Sequence, residues 1–67
     1  MKYNIGDVIL IIRARRGDFY RPINGVGIIT DSYDMPDIAL KGYRVIVSGK
    51  IGETYFVTDN DIKERIE

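Results

Sequence analysis

Cysteine, histidine and tryptophan are all missing from the 67 residues. Without cysteine there is no disulfide framework and no thiolate metal site. Without histidine, the commonest metal ligand and the usual general base near neutral pH are gone. Ser32 and Ser48 therefore have no partner to activate them as nucleophiles. Glycine-rich phosphate loops, zinc-ligand spacings and nucleophile elbows are also missing. The carboxylates of Asp59 and Asp61 fall in a run that reads as a structural turn. The chain is thus expected to be no enzyme, to carry no catalytic residue and to need no metal or cofactor. Long apolar runs are lacking too. The longest, residues 8–12, stops at Arg13, far short of the roughly 20 residues a membrane span requires. Residues 1–4 do not resemble a signal sequence.

Net charge is the last absence: ten basic residues balance ten acidic ones. The balance conceals an asymmetry. Up to Thr30, Lys2, Arg13, Arg15, Arg16 and Arg21 outweigh Asp7 and Asp18, a net of +3. From Asp31 onward the net is −3. A basic patch is possible in such a chain, whereas a generally basic protein is not.

What is present reads as strands. The hydrophobic fraction of 45% is enough for a core and argues against disorder. Helical periodicity is weak, and turn residues recur every few positions. Residues 8–15, rich in β-branched side chains, form the first strand. Gly17-Asp18 breaks it, Phe19-Tyr20-Arg21 continues in extended form, and Pro22 stops regular pairing. Asn24-Gly25 is a strong turn dipeptide, so the second core strand is expected over residues 26–30. Residues 31–42 form the longest connection, with a single helical turn over 36–41 that Gly42 ends. Strands over 43–47 and 53–57 flank a glycine-bracketed hairpin loop at 48–52. Thr58 then caps a turn, and a 3₁₀ turn with a short last strand follows. The rival reading of that end is a helix over 59–67, which the four-residue spacing of Ile62 and Ile66 suits. The expected whole, residues 1–67, is one all-β domain: a five-stranded SH3-like barrel, whose closure removes the edges a flat sheet would leave.

Four segments carry a resemblance: Asn4-Ile5-Gly6-Asp7-Val8, Gly25-Val26-Gly27-Ile28-Ile29-Thr30, Tyr43-Arg44-Val45 and Asp59-Asn60-Asp61-Ile62. In these the chain resembles the small SH3-like (KOW- or Tudor-like) barrel proteins of tailed bacteriophages, over nearly its whole length. The resemblance implies the barrel fold and a setting in the host cytoplasm or the virion. The chain departs from several relatives of that fold. It is less basic than ribosomal and transcription-factor KOW modules. It lacks the tryptophan of peptide-binding SH3 domains. For a histone-type aromatic cage it offers only Tyr43, Tyr55 and Phe56.

Three groups compete as binding surfaces. The run from Val8 to Ile12 is apolar at every position, Val8, Leu10 and Ile12 on one side and Ile9 and Ile11 on the other. A barrel has only one inside, so the surplus side is either covered by residues 31–42 or lies in an interface. The expected contact surface takes Ile9 and Ile11 as outward. It adds Phe19 and Tyr20, with Tyr33, Met35 and Ile38 from the long connection. Its partner is another protein, a phage structural protein or a host factor, or copies of the chain itself. The alternative is a nucleic-acid-binding barrel using Arg13, Arg15, Arg16 and Arg21, with Phe19 and Tyr20 stacking on bases. Against it stands a solvated exterior in which these arginines pair with the acidic half. Asp31, Asp34 and Asp37 recur every third residue, without the alternate carboxylates and central glycine of a calcium loop, and read as solvated. The five tyrosines are either core-edge residues or binding anchors.

Overall fold

Alternating apolar residues give five strands in the computed structural model, which describes residues 2–67. They are β1 (Val8–Arg16), β2 (Phe19–Met35), β3 (Leu40–Val47), β4 (Tyr55–Val57) and β5 (Ile62–Arg65). Two 3₁₀ turns, Pro36–Ile38 and Asp59–Asp61, precede β3 and β5. Every pairing is antiparallel: β1 with β2, β2 with β3, β3 with β4. The far edge of β1 is shared, β5 lying along Ile9 to Ile11 and Phe56 of β4 bridging to Arg15. Four strands thus close a ring and the fifth lies on β1. This is the all-β, five-stranded barrel expected, with its 3₁₀ turn before the last strand.

The second strand departs from expectation throughout its length. It runs unbroken through Pro22 and Asn24-Gly25, and neither Asn24 nor Gly25 takes the positive φ a hairpin turn would need. Pro22 faces Arg13 next to a register shift, where Ile23 and Asn24 together oppose Ile12. A bulge is one of the few sheet positions that tolerates proline. Likewise, residues 31–42 are no loop. Asp31 to Met35 pair with Arg44 to Leu40, and the expected helical turn shrinks to Pro36–Ile38, closed by Ala39 in a left-handed conformation at φ 53°. The rival C-terminal helix does not form, because residues 62–65 pair with β1.

The inward side chains come from all five strands. Ile9, Ile11 and Ala14 of β1 meet Ile23 and Ile29 of β2, Tyr43, Val45 and Val47 of β3, Tyr55 and Val57 of β4 and Ile62 of β5. Two polar anchors tie the ends to this core. The Tyr43 hydroxyl donates to Asp59 Oδ1 at 2.6 Å and accepts the Tyr3 amide at 3.1 Å. Burial, then the bond to Asp59, pushes its pKa above the ordinary 10.0. Asp61, only 2% exposed, accepts the Thr58 amide at 3.0 Å and hydroxyl at 3.1 Å. It also meets Arg13 Nε at 2.8 Å.

Candidate protein-binding face

The inside of the barrel is decided by glycine. Across the β1–β2 pair, Ile9 stands opposite Gly27 and Ile11 opposite Gly25. A Cβ on Gly27 would lie 2.8 Å from Ile11 Cδ1 and 3.0 Å from the Ile46 carbonyl. Small residues facing large ones let a narrow barrel fill without voids, so this set turns inward. Ile9 and Ile11, expected at the contact surface, are therefore core residues with essentially no exposure.

The opposite parity builds a face that the sequence reading did not assemble. Val8 is opposite Ile28, and Ile28 is opposite Ile46, giving one row across three strands; Leu10 opposite Val26 gives a second. Val26, Ile28 and Ile46 are 38%, 41% and 42% exposed, and Ile51, on the β3–β4 loop, is 87% exposed. Together with Val8 and Ser48 they enclose a shallow trough of about 230 Å³. Residues 31–42 do not reach over this face, being committed to the far end of the β2–β3 hairpin. An aliphatic surface left in water at about 25 cal/mol per Å² is a standing gain for whatever covers it.

The remaining expected contact residues lie elsewhere. Phe19 and Tyr20 are exposed opposite Arg16 and Arg15, at the end of β1 away from Val8. Met35 and Ile38 are exposed at the β2–β3 tip, at the end of β3 away from Ile46. Tyr33 is half-buried, its ring 6.2 Å from that of Phe56. It belongs to a second outer surface, a register row running Tyr20, Arg15, Phe56, Arg44, Asp31 around the barrel. Arg15 lies 5.1 Å over the Phe56 ring and Arg44 5.9 Å over that of Tyr33. Arg44 also meets Asp31 at 3.4 Å. Gly42 makes room beneath: a Cβ there would be 2.5 Å from the Val57 carbonyl and 2.6 Å from the Phe56 ring.

The arginines do not gather into a free ridge. Arg13 is held by Asp61, and Arg16 meets Glu53 at 2.8 Å. Arg15 lies on Phe56, and Arg21 stands on β2 opposite Ala14. Tyr43 and Tyr55 are buried while Phe56 turns outward, so the three form no cage. Of the loop aspartates, Asp31 faces Arg44 and Asp34 faces Lys41. Among the described residues no group of three acidic side chains converges to hold a metal.

No family model, no curated protein and no solved structure matches this chain. No helix among the described residues is long and apolar enough to cross a membrane.

Proposed function

We propose that this protein is a non-catalytic binding module whose contact surface is the outer aliphatic face of β1, β2 and β3. The observation that carries the reading is the row Val8, Ile28, Ile46 with Leu10 and Val26 beside it, apolar yet open to solvent. The sequence supports the absence of chemistry through its missing histidine and cysteine. In the tailed-phage setting that the sequence resemblance implies, the fitting roles are a virion component or a binder of a host factor. The nucleic-acid alternative is the weaker one, because Arg13 and Arg16 already spend their charge on Asp61 and Glu53.

The test is a comparison of variants in binding assays against proteins of the source. Ile28→Asp puts a charge at the centre of the face and should abolish binding with the circular dichroism spectrum unchanged. Tyr20→Ala, at the distant hairpin end, should leave binding intact. Binding that survives Ile28→Asp but fails with Tyr20→Ala would move the contact surface to the arginine–aromatic row.

A further inference from the structure

Resting on that reading, we propose that the occupant of the aliphatic face is a second copy of this chain, packed sheet against sheet about a two-fold axis. Three observations point to it. The first is electrostatic. The rows Val8–Ile28–Ile46 and Leu10–Val26 contain no charged side chain, and the chain as a whole is neutral. Such a surface offers nothing by which to select a charged partner and meets no repulsion from its own image. A two-fold interface brings one patch against itself, so it has to be self-complementary, which an uncharged aliphatic surface is.

The second observation is geometric. Three antiparallel strands in register present parallel ridges of Val, Ile and Leu. Ridges of this kind interdigitate with those of another sheet at about 10 Å separation, as the two layers of a β-sandwich do. The Ile51 side chain stands beside the trough and has no core contact to give up. The third is the fate of the chain's own segments. The two that had a claim on this face are engaged elsewhere: residues 31–42 in the distant hairpin, and β5 in the free edge of β1.

Area sets the strength. The partly exposed side chains of the face leave on the order of 500 Å² open per copy, so a dimer buries roughly 1,000 Å² in all, at the low end for specific interfaces. The association is therefore reversible, in the micromolar range or weaker.

Sedimentation equilibrium over about 1 µM to about 1 mM brackets that affinity. The expected result is a mass rising from 7.7 kDa towards twice that value. Ile28→Asp, which sets two carboxylates against each other near the axis, should weaken association at least tenfold. A second measurement is independent of that variant's folding. Because the chain has no cysteine, Ser48→Cys supplies a single thiol for a spin label at the rim of the trough. Mixed with ¹⁵N-labelled wild type, it should broaden the amides of Val26, Ile28 and Ile46. A wild type that stays at 7.7 kDa throughout overturns the second copy and leaves the binding face standing. Self-association that ignores Ile28→Asp, with broadening at Phe19 and Tyr20 or at Met35 and Ile38, overturns both.

Discussion

Two outer surfaces of one small barrel are treated oppositely. The arginine–aromatic row satisfies itself: Arg15 covers Phe56, Arg44 covers Tyr33 and reaches Asp31, and Gly42 lets the Phe56 ring settle against the backbone. The aliphatic face has no such means. Valine and isoleucine carry nothing that a neighbour on the same strand row can answer, so only another surface can shield them from water. Exposed aromatic residues are thus the weaker sign of a contact surface here, although they are the more conspicuous in the sequence. A side chain becomes available to a partner when its neighbours leave it unsatisfied.

The comparison is best broken first on the inner side of the same strands. Ile11→Ala removes a core side chain that is 1% exposed and should cost about 2–5 kcal/mol in chemical denaturation. Gly42→Ala comes next. Its Cβ cannot share space with the Val57 carbonyl and the Phe56 ring, so stability should fall by about 1–3 kcal/mol. Nuclear magnetic resonance should show the Phe56 ring displaced from Arg15.

Beneath the row, Tyr43 gives a pH dependence. Its pKa is raised in the folded state by burial and by the bond to Asp59, so the folded protein holds this proton more tightly than the unfolded chain does. The stabilisation is complete below pH 10.0 and is lost as pH rises through the folded value. Tyr43→Phe should cost about 1–2 kcal/mol near neutral pH by unpairing Asp59 and the Tyr3 amide. It should also flatten the alkaline limb of a stability–pH curve.

The smallest effects separate the two surfaces most cleanly. Arg15→Ala removes a half-buried guanidinium from Phe56 and should lower stability by about 0.5–1 kcal/mol without changing association. Ile51→Ser should do the reverse. At 87% exposure it should move the melting free energy by no more than about 0.5 kcal/mol, yet weaken self-association measurably by light scattering.

The strands at residues 8–15, 26–30 and 43–47 were legible from apolar alternation, and the turn at Asp59 with a strand after it from its spacing. The misreadings share one cause. Pro22, Asn24-Gly25 and residues 31–42 all carry local turn chemistry, and in each case pairing with β1 or β3 overrode it. A bulge absorbed the proline, and extended backbone carried the Asn-Gly pair through the strand. Among the site residues, Ile9 and Ile11 were assigned to the wrong side because an apolar run carries no parity of its own. The spacing Gly25-x-Gly27, alternating with Val26 and Ile28, was the available signal. It reverses the assignment once those glycines are placed opposite the isoleucines.

By itself the sequence determined a non-helical, neutral chain without histidine or cysteine, cut by turns into short apolar strands, because period and composition are local properties. Only the tertiary structure decided which side of β1 is the inside. That choice depends on the register that sets Gly25 and Gly27 against Ile11 and Ile9. Register is a relation between two strands, and filling a narrow interior settles it, since one isoleucine and one glycine fit there where two isoleucines do not.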